Sequence, residues 1–177
     1  MRIALALKGI DYQMEGVNIR AGEQNGADYL RRNPIGLVPT LVGDNGEAIG
    51  QSLAIIDYLD RLYPDVLLLP ASGEARTKAL EIAFVIACDI HPVNNMRVLR
   101  YLTDELGISE AQKKAWYAHW IAVGLTAVES LLQKAGSGNF CIGDSPTLAD
   151  CCLIPPVGQR PADGLRFVGL SALPTRL

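Results

Sequence analysis

The chain changes character once, near residue 63, and this change limits the folds that it can adopt. Before it, short apolar runs of strand character alternate with turn signals. After it, every periodic segment has helical spacing. Between the two lies a stretch with Pro64 and Pro70, which predicts a linker over residues 63–73. We therefore expect an α/β domain over residues 1–62, followed by an all-helical domain over residues 74–177.

The first domain is predicted to mix helices and strands. Asn45-Gly46 supports a tight hairpin turn, because both residues tolerate positive φ at its central positions. Ser52 is a good helix N-cap and is followed by leucines and isoleucines at helical spacing. The predicted elements are a helix over 2–8 ending at Gly9, a strand over Ile10–Ile19, a loop with a short helix over Ala21–Arg32, strands over Leu37–Val42 and Glu47–Gly50, and a helix from Ser52 to just before Pro64.

The second domain contains three predicted helical segments. The first covers residues 74–106 and is broken at His91-Pro92, because proline disrupts a helix interior. The second covers residues 109–134 and is followed by a loop over 136–139. The third begins at Thr147, where Thr147 and Asp150 have the spacing of a capping box.

The composition excludes several functional classes. A net charge of -3 does not suggest the basic face that nucleic-acid binding requires. No apolar run approaches the roughly 20 residues that span a bilayer, and the N-terminus lacks the cleavage site of a secretory signal. The four cysteines lack disulfide or zinc spacing, so reduced thiols in the cytoplasm are expected.

Conventional catalytic or metal-binding groups are scarce. Cys88 and His91 share a helix face, but a zinc site would need two further ligands. His119 lies between two tryptophans, as a packed or surface histidine does. No phosphate-binding loop or nucleophile elbow is present.

Three other places carry polar groups in unusual settings. Val38-Pro39 lies at the start of a predicted strand, where proline has no N–H to donate to the sheet. If the peptide bond is cis, the Val38 backbone is free to pair with an extended peptide ligand. The alternative is an ordinary proline at the start of a strand. Gln51-Ser52 begins a helix, where free N–H groups suit a carboxylate, although simple capping explains it equally. The segment from His91 to Arg97 places two asparagines beside a proline, which indicates a polar kink or mere surface polarity.

Five motifs, taken in order, resemble the zeta-class glutathione transferases, the maleylacetoacetate isomerase family. The resemblance runs from residue 2 to about residue 157. The matching segments are Arg2–Ile10, Asn33-Pro34 with Val38–Leu41, Gln51–Ile56, Asp89–Pro92 with Asn94-Asn95, and Gly143-Asp144 with Thr147–Asp150.

The resemblance implies a thioredoxin-like domain followed by a helical glutathione-transferase domain. It implies a cytosolic homodimer that uses glutathione to isomerise maleylacetoacetate to fumarylacetoacetate, with α-haloacids as further substrates. Val38 should pair with the cysteinyl part of glutathione, Gln51 and Ser52 should hold its γ-glutamyl end, and Gln24 should lie near its glycyl end. By the same resemblance, His91 and Asn95 line the cleft from the helical domain and Met96 and Arg97 adjoin it, and all four are expected to be cofactor-binding residues.

The chain departs from the family pattern at both ends. The family's serine-rich turn and first strand would fall before Met1, so we expect an incomplete thioredoxin-like domain. Because the family's catalytic serine belongs to that turn, no catalytic residue is predicted within this sequence. The tail from Gln159 differs from the family sequence. Suitable codons for this tail, read with one base removed just before Gln159, can encode a family-like segment. This suggests a frameshift. A non-catalytic binding or dimerisation module with the transferase fold is therefore the alternative function.

Overall fold

The computed structural model describes residues 1–158, which form two compact units, Met1–Leu68 and the chain from Leu69 onward. The first unit mixes short helices with a small sheet, and the second is helical. This architecture confirms the expected fold class, a thioredoxin-like unit followed by a helical one. Residues 159–177, on which the frameshift hypothesis rests, lie outside the described part.

The first unit holds three α-helices and two strands. Helix α1 ends as predicted, at Gly9 in the left-handed region (φ 64°). A single 3-10 turn, Glu23–Asn25, precedes α2. The elements are α1 (Arg2–Lys8), α2 (Ala27–Arg32), β1 (Thr40–Val42), β2 (Ala48–Gly50) and α3 (Ser52–Leu62).

The predicted strand over Ile10–Ile19 is wrong. This segment has no regular secondary structure, and residues 11–16 are all exposed. A strand is stable only when its backbone pairs with a neighbour. Within residues 1–158 the sheet contains only β1 and β2, so nothing pairs with this segment.

The predicted hairpin is confirmed, but its turn differs from the expected type. Strands β1 and β2 are antiparallel, with Leu41 opposite Ile49. The Gly46 N–H donates to the Gly43 carbonyl at 2.9 Å, and Gly46 has φ 79°. Asn45 keeps a negative φ, because the loop closes between Gly43 and Glu47 and is longer than the two residues assumed.

Helix α3 packs the core of the first unit, and its beginning corrects the predicted cap. Gln51, not Ser52, occupies the capping position, and no side chain caps the helix. The reason is that β2 ends at Gly50, so the chain turns from strand to helix over one residue. Ile55 and Leu59 of α3 bury their side chains with Leu5 of α1.

Within residues 69–158, the second unit contains four α-helices around an aliphatic core. Its bounds are α4 (Gly73–Phe84), α5 (Met96–Asp104), α6 (Glu110–Ala135) and α7 (Leu148–Gly158). Ser109 and Gln112 form a full capping box at the start of α6. The core residues come mainly from α4, α6 and the turn between α4 and α5, and they include Ile82, Ile86, Ile90, Ile121, Leu125, Val128 and Leu132.

The predicted break at His91-Pro92 is confirmed and has a specific form. Helix α4 passes into a π-helical turn, Val85–Ile90, and Pro92–Asn94 then forms a 3-10 turn. Ile90 of the π-turn packs directly against Gly124 of α6. If residue 124 had a Cβ, that atom would lie only 2.3 Å from Ile90 Cγ1. The close approach therefore requires glycine at position 124.

A buried carboxylate organises the start of α7. Asp150 has no exposed surface, and its oxygens accept from the Thr147 N–H (2.7 Å), the Thr147 hydroxyl (2.9 Å) and the Cys141 N–H (2.8 Å). The carboxylate thus caps the backbone as the capping-box pattern predicts. Across residues 1–158, no helix combines the length and apolar composition that a bilayer crossing requires.

Candidate functional site

The backbone of Val38 is left unpaired just before strand β1. The Val38-Pro39 peptide bond is cis, and Val38 is 44% exposed. Within residues 1–158 its N–H and C=O make no hydrogen bond, because β1 begins only at Thr40. An extended peptide ligand can therefore pair with this backbone without displacing a strand.

The start of α3 offers N–H donors without partners in the helix. Along α3, the first N–H group with a backbone hydrogen bond is that of Ile55, which donates to the Gln51 carbonyl at 3.0 Å. The N–H groups of Ser52, Leu53 and Ala54 come before it and have no carbonyl one turn back. With the positive end of the helix dipole, they suit an anionic group.

Gln51 adopts a conformation that non-glycine residues avoid. Its φ is 68°, the only positive φ of a non-glycine residue in the described part of the chain. Such a conformation carries strain of about 1–3 kcal/mol and persists where the surroundings enforce it, often at a binding site. The Gln51 side chain is exposed, so its amide is available to a ligand.

Gln24 carries a buried oxygen without a partner. It lies in the 3-10 turn Glu23–Asn25, and its Oε1 makes no hydrogen bond within residues 1–158. A buried acceptor without a donor is unfavourable, so a ligand N–H at this place would be stabilising. The turn packs close to the loop before Val38, since a Cβ on Gly36 would lie 3.4 Å from the Gln24 carbonyl.

The other four predicted residues lie in the second unit, around the break between α4 and α5. His91 ends the π-turn and is exposed, as is Arg97 in the first turn of α5. Asn95 is the N-cap of α5, and its side-chain oxygen accepts from the Arg97 N–H at 3.1 Å. Met96 is half-buried. The asparagine thus has a local structural role that its spacing alone did not show.

Helix α6 holds this break in place. The Trp116 indole N–H donates to the Val93 carbonyl at 2.9 Å, and the Asn94 side-chain N–H donates to the Tyr117 carbonyl at 3.4 Å. Trp116 also meets Trp120 edge to face, with ring centroids 5.7 Å apart. Trp116 therefore packs against the segment that follows His91, a contact that the sequence alone does not show.

Sequence reasoning also missed the residues that support the Val38 loop. Asn33 is 4% exposed, and its side-chain N–H groups donate to the Leu37 carbonyl (2.7 Å) and the Thr40 hydroxyl (3.0 Å). The Tyr29 hydroxyl donates to the same Leu37 carbonyl at 2.7 Å. In the sequence, Asn33 stands out only as part of the Asn33-Pro34 motif. Its position directly before Pro34, at the end of α2, is the one local feature that could have indicated a structural role.

The Cys88–His91 pair finds no further ligands, since the described residues contain no cluster of three or more potential metal ligands. Cys88 is exposed, whereas Cys141 is fully buried. Burial, and next the charge of Asp150, raise the pKa of the Cys141 thiol. A protonated, enclosed thiol is a poor nucleophile, so Cys141 is a structural residue.

Comparison with known proteins places these features in a family. Residues 1–62 match the glutathione S-transferase N-terminal domain. A probable maleylacetoacetate isomerase of Vibrio cholerae is 42% identical, over 89% of this chain and 73% of its own length.

Two solved structures share the fold over 89% of this chain and 74% of their own, each with 41% identity. One is a holo maleylpyruvate isomerase, a bacterial zeta-class glutathione S-transferase, with a TM-score of 0.83. The other is the maleylacetoacetate isomerase of Methylobacterium extorquens with bound malonate and glutathione, with a TM-score of 0.84.

Proposed function

Because the chain belongs to the family of maleylacetoacetate isomerases and zeta-class glutathione transferases, we propose that it is a glutathione-dependent cis–trans isomerase. Its substrate in this proposal is maleylacetoacetate, and its product is fumarylacetoacetate. The observation that carries the proposal is the unpaired Val38 backbone in a unit that also holds the open start of α3.

The residues present fit glutathione. The tripeptide has a peptide backbone that can pair with Val38, and a γ-glutamyl carboxylate that suits the N–H groups at Ser52 and the Gln51 amide. The unpartnered Gln24 Oε1 would accept one of its N–H groups. These four residues are proposed to hold the cofactor. The resemblance also implies cofactor binding by His91, Asn95, Met96 and Arg97 of the second unit, and we keep that assignment as a proposal.

Bound glutathione would supply a thiol whose anion adds reversibly to a conjugated double bond. The chain's own part is to bind and to orient. The start of α3 favours negative charge through its dipole and free N–H groups. Arg97, exposed and cationic, would attract a dicarboxylic substrate. We also propose that the protein is a cytoplasmic homodimer, as the resemblance implies; sedimentation of the purified chain tests the dimer.

The proposal is tested by incubating the purified chain with maleylacetone, a stable substrate analogue, with and without glutathione. We expect isomerisation only with glutathione, together with retention of the chain on immobilised glutathione. Retention without turnover would favour the alternative, a non-catalytic binding module. A folded chain that shows neither would overturn both readings.

A further inference from the structure

We propose that Asn33 is a positioning residue that holds the two glutathione-binding segments of the first unit, the Val38 loop and the start of α3, in one arrangement. The inference rests on the proposed function. Asn33 itself is buried and is not proposed to touch the ligand. Its effect would pass through the backbone of its neighbours.

On one side, Asn33 fixes the loop. Its amide nitrogen is 2.7 Å from the Leu37 carbonyl and 3.0 Å from the Thr40 hydroxyl. These two residues flank Val38-Pro39. Asn33 therefore anchors the loop before and after Val38, while the Val38 backbone itself stays open.

On the other side, Asn33 packs against the residue that precedes Gln51. A Cβ on Gly50 would lie 3.2 Å from Asn33 Oδ1 and 3.3 Å from Asn33 Nδ2. The amide thus lies directly over the backbone of Gly50, where β2 ends and α3 is about to begin. One buried side chain consequently contacts both the Val38 loop and the residue that leads into the start of α3.

Only an asparagine satisfies all the polar groups at this place. Its two amide hydrogens go to Leu37 and Thr40, and its oxygen accepts from the Ile35 N–H at 3.3 Å. An aspartate of the same shape keeps the acceptor but loses both donors, and it would set a carboxylate oxygen against the Leu37 carbonyl.

Tyr29 completes the network. Its hydroxyl proton goes to the Leu37 carbonyl at 2.7 Å, so the Thr40 hydroxyl, 2.8 Å away, must donate to the Tyr29 oxygen. Each hydroxyl in the network then has one defined proton direction. Loss of the Tyr29 hydroxyl should weaken the same anchor, less severely than loss of the Asn33 amide.

The test uses Asn33→Asp and the milder Tyr29→Phe in the full chain. Binding of reduced glutathione is measured by calorimetry, well below each variant's melting temperature. We expect the dissociation constant to rise roughly tenfold for Asn33→Asp, about the effect of one net hydrogen bond lost, and less for Tyr29→Phe.

Two control variants separate positioning from other effects. Asn45→Asp adds the same charge in the exposed hairpin, and Leu59→Val trims the core of the same unit about two turns along α3 from Ser52. Both should bind glutathione as the parent chain does. The proposal is overturned if Asn33→Asp binds normally, or if Leu59→Val weakens binding as much at the same folded fraction.

A readout without ligand keeps the inference separate from the proposed function. In amide NMR spectra of the ligand-free protein, Asn33→Asp and Tyr29→Phe should shift Val38, and Asn33→Asp should also shift Gly50 and Ser52. Unchanged resonances at both segments would sink the positioning role. If the parent chain does not bind glutathione, the proposed function fails, while these spectra still decide whether Asn33 positions the segments.

Discussion

The ammonium of Lys8 lies 2.8 Å from a carboxylate oxygen of Asp60, and the Lys8 side chain has no exposed surface. Lys8 Nζ also donates to the carbonyls of Tyr63 (2.9 Å) and Val66 (2.5 Å), while the Asp60 oxygens accept from the Leu68 N–H at 3.1 Å. This pair connects α1, the end of α3 and the segment that closes the first unit. Its charges are fully paired, as burial requires.

Asp60→Asn should strongly destabilise the first unit, because it leaves the Lys8 ammonium buried without a counter-charge. Breaking a buried pair in this way costs about 3–5 kcal/mol. The free energy of unfolding, from denaturant titration, measures the loss. Asp57→Asn is the matched control: its exposed bridge to Arg61, at 3.6 Å, should contribute less than about 1 kcal/mol. Equal losses in the two variants would contradict this account.

Gly124→Ala should destabilise the second unit, because its Cβ would lie 2.3 Å from Ile90 Cγ1 and 2.6 Å from Cδ1. Overpacking of this kind costs typically about 1–3 kcal/mol. The same substitution in an Ile90→Ala background should cost less, since the colliding atoms are gone. A double-mutant cycle of unfolding free energies measures the coupling. Strict additivity would show that Ile90 and Gly124 do not meet.

Gln51→Gly should raise stability and weaken glutathione binding. Glycine adopts a φ of 68° without the strain that glutamine bears there, which is worth about 1 kcal/mol or more. The variant also loses the amide proposed to hold the γ-glutamyl group. The melting temperature should therefore rise, while the affinity for glutathione measured by calorimetry should fall. A lower melting temperature would contradict this account, because it would show that the Gln51 side chain stabilises the turn by more than its backbone strain costs.

Cys141 should make stability fall at alkaline pH. Burial raises the pKa of its thiol above the ordinary value of 9.0, so the folded chain keeps a proton that the unfolded chain loses. The contribution of this thiol to the free energy of unfolding is therefore fully present below pH 9. Above pH 9 it decreases by up to about 1.4 kcal/mol per pH unit. Cys141→Ala keeps the backbone bond to Asp150 and should show a shallower alkaline decline in unfolding free energy. An identical decline in the two proteins would contradict the raised pKa.

Local sequence signals predicted most elements, and tertiary contacts explain the failures. Gly9 and the Asn45-Gly46 hairpin act through their own backbone, so pattern reading found them. The segment over Ile10–Ile19 has strand alternation but no partner strand, and pairing is a property of the whole fold. Likewise, the left-handed conformation of Gln51 follows from the one-residue connection between β2 and α3.

The candidate site shows the same division. Val38-Pro39 and Gln51-Ser52 stood out because proline and a helix start have local meanings. The contacts that support them did not, because Asn33 reaches Thr40 and Gly50 only once the chain has folded. Trp116 reads as one more apolar helix residue until its indole meets Val93, 23 positions earlier in the chain.

The most direct test of the account is a titration of the isotopically labelled chain with reduced glutathione, followed by amide NMR. We predict saturable shifts that are largest at Val38, at Ser52 and at Gln24, where the first unit offers unpaired groups. A Ser52→Ala control should keep the Val38 shift but need more glutathione to saturate. Shifts confined to residues beyond Leu69, or no saturable shift in a folded chain, would contradict the account.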